Sequence, residues 1–140
     1  MRKIITIILL LITTSLVANE VNWEKDYQSG IKKAMKEHKP VMFVISRDTC
    51  KYCVLLDNTT LKDKKVVEKL NSDFITIRSW INEGDYIPAF LRQNTPGLPG
   101  VWFLYSNGDP MFRPLLGYMK KEDLLEALTV VSQEFKKGEK

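Results

Sequence analysis

The sequence predicts an α/β domain with a central mixed four-stranded sheet that is flanked by helices. Three observations support this fold class. Short runs of β-branched and apolar residues alternate with segments of helical periodicity along the chain. An Asn-Gly turn joins the last two runs, which predicts a C-terminal antiparallel hairpin. The 140 residues, of which 44% are hydrophobic, are sufficient for one core.

Helices are predicted where apolar residues recur every three or four positions and charged residues lie between them. They span about Asn22–His38, a stretch from Cys50 through Leu56, a short helix from Asp63, Tyr86–Gln93 and about Lys121–Lys136. Asp63 and Asp85 are expected N-caps, because an Asp carboxylate accepts hydrogen bonds from the free N–H groups at a helix start. Pro88 is tolerated there because it lies in a first turn.

Strands are predicted where β-branched and aromatic residues cluster between turn signals. They span Val41–Ser46, Phe74–Ile77, Val101–Tyr105 and Met111–Leu116. The first run is continuously apolar, which is typical of a strand buried on both faces. Pro110 and Pro114 lack a backbone N–H, so the last strand is expected at a sheet edge. Strands separated by helices are expected to pair in parallel. Trp23, Trp80 and Trp102 are expected mainly in the core, with a position that flanks the active site as the alternative for Trp80.

The N-terminus has the pattern of an export signal. Two basic residues follow the initial Met, an apolar run comes next, and small or polar residues predominate up to Ala18. We therefore expect residues 1–18 to be a signal peptide and residues 19–140 to form one domain in an oxidising compartment such as a periplasm. The alternative is an uncleaved N-terminal membrane anchor, but the apolar run is shorter than the ~20 residues that a spanning helix needs.

The charge of the chain does not indicate a nucleic acid or an anionic membrane surface as a partner. The formal net charge is +4, and Arg2 and Lys3 belong to the predicted signal peptide. Without these two, 19 basic residues face 17 acidic ones. Lys and Glu are spread along the chain as on an ordinary solvated surface. We expect a monomer.

Two cysteines, Cys50 and Cys53, point to thiol chemistry. They are the only cysteines, and two residues separate them where the predicted strand Val41–Ser46 gives way to a helix. The free N–H groups and dipole of a helix start stabilise a thiolate, so we expect Cys50 to attack disulfides. Cys53 is expected to be more buried and to resolve the mixed disulfide. Lys51 adds a nearby positive charge, and Tyr52 either packs on the cysteines or lies on the surface.

Other roles for a Cys-x-x-Cys pair fit the chain less well. A covalent haem motif is excluded, because Val54 rather than His follows the second cysteine. A zinc site or a cysteine-protease nucleophile would need histidine partners, and His38 is the only histidine. We therefore expect no metal and no cofactor. A purely structural disulfide stays open, although a bridge that closes so short a loop adds little stability.

From about Trp23 to Lys136 the chain resembles the thioredoxin superfamily. Within that superfamily it is similar to the C-terminal thioredoxin-like domain of the thiol:disulfide interchange protein DsbD and to stand-alone periplasmic thioredoxin-like proteins. The residues that carry the resemblance are Lys39-Pro40-Val41-Met42, Asp48-Thr49-Cys50-Lys51-Tyr52-Cys53, Gly97-Leu98-Pro99, Asn107-Gly108 and Gly117.

The resemblance implies a thioredoxin fold and further site residues. Pro99 matches the cis-proline that faces the cysteines in this family, and Leu98 would offer its backbone to an extended substrate strand. The chain departs from the family pattern at two positions. Val44 stands where many members have a buried Asp, six residues before Cys50, and Thr49 replaces the common Trp.

The favoured function is reduction of disulfides in exported proteins through Cys50 and Cys53. Its partners would be protein thiols and disulfides, with a membrane protein as the upstream electron donor. The enzyme alternative is an oxidase or isomerase that introduces or shuffles disulfides. An alternative of another class is a thioredoxin-fold binding or chaperone module in which the two cysteines form a structural disulfide.

Overall fold

The computed structural model describes residues 20–138, so the predicted signal peptide lies outside the described residues. The α-helices are Tyr27–Glu37 (α1), Lys51–Asn58 (α2), Lys64–Asp73 (α3), Ala89–Gln93 (α4) and Lys121–Gly138 (α5). The strands are Val41–Ser46 (β1), Ile75–Trp80 (β2), Gly100–Leu104 (β3) and Leu115–Leu116 (β4). A 3-10 turn, Thr60–Lys62, connects α2 to α3. No helix within the described range is long and apolar enough to cross a membrane.

The strands form one mixed sheet in the order β2-β1-β3-β4, which confirms the predicted fold class. β1 is parallel to β2 and antiparallel to β3, and β4 is antiparallel to β3 at the edge. The expectation that strands separated by helices are parallel is therefore wrong for β1 and β3. The five residues of α4 span only about 7.5 Å, whereas a six-residue strand is about 20 Å long. Because α4 is too short to return the chain along the sheet, β3 begins where β2 ends.

Both faces of the sheet are covered by helices. Successive side chains of a strand point to opposite faces. Because helices cover both faces, all six residues of β1 are buried. Met42 and Val44 pack in a cluster with residues of α2, α3 and α5. Phe43 and Ile45 pack in a second cluster with residues of α1 and α4. The continuously apolar sequence of this strand is thus explained by its central position between two cores.

The first helix is shorter than predicted from the sequence. It does not begin near Asn22 but after Asp26, whose carboxylate accepts a hydrogen bond from the backbone N–H of Ser29 at 2.8 Å. The Asp26 N–H donates in return to the Ser29 hydroxyl, and this reciprocal pair is a capping box. The preceding residues are extended beside β2, where the Glu24 N–H donates to the Thr76 carbonyl at 2.8 Å.

The segment around β2 and α4 also differs from the prediction. β2 continues beyond the predicted Phe74–Ile77 through Arg78 to Trp80. Asp85 does not cap a helix, because its carboxylate accepts from the Trp80 N–H at 2.8 Å and holds the turn after β2. The helix begins later, with Pro88 at its N-cap position.

The C-terminal hairpin is confirmed, but its second strand is short. The turn is closed by the Gly108 N–H, which donates to the Tyr105 carbonyl at 2.9 Å. Gly108 has φ +94°, a conformation that favours glycine. The predicted strand Met111–Leu116 is reduced to the two residues of β4, and Pro110 makes only an isolated bridge to β3. Pro110 and Pro114 cannot donate to a strand partner, which interrupts the pairing.

Candidate functional site

Cys50 is the N-cap residue of α2, directly after the loop that leaves the buried β1. Its Sγ accepts a hydrogen bond from the backbone N–H of Cys53 at 3.2 Å. Two further hydrogen bonds hold the loop, from the Cys50 N–H to the Arg47 carbonyl at 3.2 Å and from the Asp48 N–H to Asn82 Oδ1 at 3.4 Å. A half-buried sulfur at a helix start therefore receives a backbone N–H, an arrangement that stabilises a thiolate.

Cys53 lies one turn into α2, and only 1% of its surface is exposed. Both cysteines are free thiols in this structure. Burial raises the pKa of Cys53, and its hydrogen bond with Cys50 adds to that increase. The Ser46 hydroxyl and the Arg47 N–H bond to the same sulfur and act in the opposite direction. Ionising Cys53 therefore requires nearby groups that stabilise its thiolate.

Leu98 and Pro99 lie at the end of the sheet to which β1 carries the active-site loop. Gly100, which follows them, is paired with Ile45 of β1. The peptide bond between Leu98 and Pro99 is cis, as the family resemblance predicted. Pro99 is buried and Leu98 is half-buried, and the Pro99 carbonyl accepts a hydrogen bond from the Gly117 N–H at 2.9 Å. The substrate-binding role of Leu98 and Pro99 stays a prediction.

Lys51 and Tyr52, the two residues between the cysteines, are exposed. Tyr52 has 53% of its surface open to solvent. Both side chains thus stand on the outer surface of the first turn of α2, and their tuning role stays a prediction.

One element of the site was missed by sequence reasoning. Val44, which stands at the position of the family's buried Asp, is 1% exposed and is in register with Arg78 of β2. The Arg78 guanidinium forms an ion pair with Asp57 of α2. The available signals were the alternation of β2, which places Arg78 on the same sheet face as Val44, and the position of Asp57 one helical turn after Cys53.

The tryptophans differ in their surroundings. Trp102 is buried as expected, but Trp23 and Trp80 are only half-buried. Their rings lie 4.0 and 5.1 Å from the Arg78 guanidinium carbon, measured to the ring centroids. These two therefore lie at the margin of the core and not inside it: Trp23 packs against the first apolar cluster, and both rings also face the Arg78 cation.

Comparisons with known proteins agree with this fold. Residues 27–132 match the model of the thioredoxin-like domain family. Anterior gradient protein 3 of Mus musculus is 24% identical over 126 residues, which are 83% of this chain and 76% of that protein. DsbD of Campylobacter jejuni (strain RM1221) is 26% identical over 108 residues, which are 74% of this chain and 19% of that protein.

A solved structure extends the likeness to the DsbD domain itself. The oxidised C-terminal domain of Neisseria meningitidis DsbD superposes with a TM-score of 0.57 and 28% identity, covering 74% of this chain and 90% of that domain. The family match spans most of the described residues and includes both cysteines. The chain therefore belongs to the thioredoxin-like family of disulfide oxidoreductases and resembles the DsbD C-terminal domain.

Proposed function

We propose that this chain is an exported protein-disulfide reductase that works through Cys50 and Cys53. The observation that supports this proposal is the difference in position and burial between the two cysteines. Cys50 Sγ is half-buried at a helix start and accepts a backbone N–H, whereas Cys53 is buried one turn further along. A reachable, stabilised thiolate suits the attack on a partner, and a buried thiol suits the internal step that follows.

The reaction has two exchange steps. The Cys50 thiolate attacks one sulfur of a partner disulfide, the partner's S–S bond breaks, and its other sulfur leaves as a thiolate that takes up a proton. Cys53 then loses its proton and attacks Cys50 Sγ. The Cys50–Cys53 bond forms while the mixed disulfide breaks and releases the second partner sulfur. Two electrons thus pass from the protein dithiol to the partner, which becomes a dithiol.

Leu98 and Pro99 are proposed as the platform for the partner. The pairing of Gly100 with Ile45 fixes them at the sheet end that leads to Cys50. In this proposal the backbone of Leu98 binds an extended partner segment, which holds the partner disulfide before attack. Lys51 and Tyr52, exposed beside the sulfur, adjust how partners approach.

Export and electron supply complete the proposal. The basic, apolar and small-residue order of residues 1–18 supports export to a periplasm. A reductase becomes oxidised in each cycle, and an oxidising compartment does not restore its thiols. We therefore propose a membrane protein as the upstream electron donor.

Insulin reduction tests the activity. With dithiothreitol as electron source, the wild-type chain is expected to accelerate precipitation of the insulin B chain, measured as turbidity. Cys50→Ser is expected to return the rate to that of dithiothreitol alone, because no attacking thiolate remains. Circular dichroism of both proteins checks that the variant is folded. Wild-type protein that adds nothing to dithiothreitol would contradict the reductase and favour a binding or chaperone module.

Mass spectrometry of the protein purified from its native cells tests export. The mature chain is expected to start near Asn19 and to be released with the periplasmic fraction. An intact Met1 in the cytosolic fraction would contradict export. An intact Met1 in the membrane fraction would replace the cleaved signal with an uncleaved anchor.

A further inference from the structure

The guanidinium of Arg78 lies next to the site, between the sheet and the helices that cover it. It lies opposite Val44 in the pairing of β1 and β2, and alternation along β2 points its side chain to the face that α2 and α3 cover. Only 15% of the side chain is exposed. Removing such a charge from water is costly unless other groups compensate for the lost hydration. Packing alone therefore does not explain why a charged residue occupies this position.

The groups around Arg78 compensate for only part of that cost. One terminal nitrogen donates to Asp57 Oδ1, and the rings of Trp23 and Trp80 lie on the guanidinium. The Nε atom, however, is buried and has no hydrogen-bond partner among the described residues. Because a guanidinium is planar and has donors in fixed directions, this N–H is available for an acceptor that exists only during the reaction.

The thiolate of Cys53 is an acceptor of this kind. Asp57 is four residues after Cys53, so the ion pair lies one helical turn from the buried sulfur. Burial lowers the pKa of Arg78, while the charges of Asp57 and of an ionised Cys53 raise it. An ionised Cys53 therefore favours the charged form of Arg78, and opposite charges about one helical turn apart attract each other.

We propose that Arg78 is a positioning residue for the resolving step and stabilises the thiolate that Cys53 forms before it attacks Cys50. This inference rests on the proposed dithiol reductase. It explains how the chain works with Val44 in place of an acidic residue, because a cation that stabilises the product of deprotonation replaces a group that accepts the proton. A cavity of about 220 Å³, lined by Asp57 and Arg78 among others, brings solvent to the outer side of the ion pair.

The polar and charged groups around Cys53 come from three parts of the chain. Cys50 lies on the same helix, the Ser46 hydroxyl and the Arg47 N–H come from β1 and the loop after it, and Arg78, on which the charge of Cys53 acts, comes from β2. Asp57 lies beside Arg78, and the charge of Lys62 on the 3-10 turn acts on Asp57. Lys62 is a suitable control, because its exposed cation lines the same cavity.

The test uses dithiobis(nitrobenzoate), an aromatic disulfide that releases a coloured thiolate. Attack by Cys50 on the full reduced protein releases one thiolate, and attack by Cys53 on the resulting mixed disulfide releases a second. The first phase reports the proposed function and the second reports the role of Arg78. Absence of a first phase that depends on Cys50 would contradict the reductase itself.

Arg78→Met is expected to leave the first phase within about twofold and to slow the second about tenfold near neutral pH. The loss is expected to disappear at high pH, where Cys53 ionises without help. Arg78→Lys keeps a charge and should recover most of the rate, and Lys62→Met should change neither phase by more than about twofold. A folded Arg78→Met protein with an unchanged second phase, or one slowed equally at every pH, would overturn the proposal.

Asp57→Asn supplies a second test, which is decisive even if Arg78→Met does not fold. It removes the negative charge next to Arg78 and leaves the guanidinium in place. The second phase is then expected to be at least as fast as in the wild type near neutral pH. A slower second phase would assign the role to the carboxylate and would overturn the assignment to Arg78.

Discussion

Cys53→Ser is expected to accumulate mixed disulfides between Cys50 and partner proteins, at least about tenfold above the wild type, whereas Cys50→Ser accumulates none. Cys50 Sγ accepts an N–H at the start of α2 and is half-buried, so it attacks first. Without a thiol at position 53 the second exchange cannot take place, and the partner stays attached. Non-reducing gels of cells that express each full-length variant, followed by mass spectrometry of the trapped bands, provide the measurement.

The double variant, with Ser at both positions, is the matched control, because it removes both sulfurs and leaves the rest of the chain unchanged. Bands that persist in the control are not thiol adducts. Trapping by Cys50→Ser rather than by Cys53→Ser would show that the two roles are reversed. Equal trapping by both single variants would contradict a division of roles altogether.

The reduction potential is expected to lie much nearer to thioredoxin, about −270 mV, than to DsbA, about −120 mV. That interval corresponds to about five orders of magnitude in the equilibrium constant. A strong oxidant needs a heavily stabilised thiolate, whereas Cys50 Sγ accepts one backbone N–H at 3.2 Å and shares a hydrogen bond with the Cys53 thiol, neither of which carries a charge. Lys51 is exposed, so its charge is screened by salt. Tyr52 is 53% exposed and adds no cation beside the sulfur.

Equilibration in glutathione buffers, followed by acid quenching and alkylation of free thiols, measures this potential from the mass of each species. Cys53→Ser is the control, because it cannot form the internal disulfide and reports only glutathione adducts. A potential close to that of DsbA would contradict the reductase and make the oxidase alternative the better interpretation.

The central elements and the two cysteines were predictable because their signals are local. β1 was predicted with its observed bounds, since a continuously apolar run indicates a strand buried on both faces. Asp63 was correctly predicted as the N-cap of α3, where it accepts N–H bonds from Lys65 and Val66. The spacing of Cys50 and Cys53 at a strand-to-helix junction indicated thiol chemistry without any tertiary information.

Element ends were less predictable where distant residues compete for the backbone. Asp85 has the residue type and position of a helix cap, but its carboxylate accepts from the Trp80 N–H across a turn. The start of α1 is set by Asp26 because the residues before it pair with β2 instead of continuing a helix. A pattern within one segment does not reveal which of two hydrogen-bond partners the backbone will choose.

By itself, the sequence determined the α/β class and the position of the redox pair at a helix start. Only the tertiary structure decided that β3 is antiparallel to β1 and that the largely covered Arg78 guanidinium lies against the rings of Trp23 and Trp80. In the sequence, a charged residue after Ile77 indicates the end of a strand, because charged side chains are usually exposed. Arg78 is accommodated inside because Asp57, 21 positions away in the chain, and two aromatic rings come together around it only when the chain is folded.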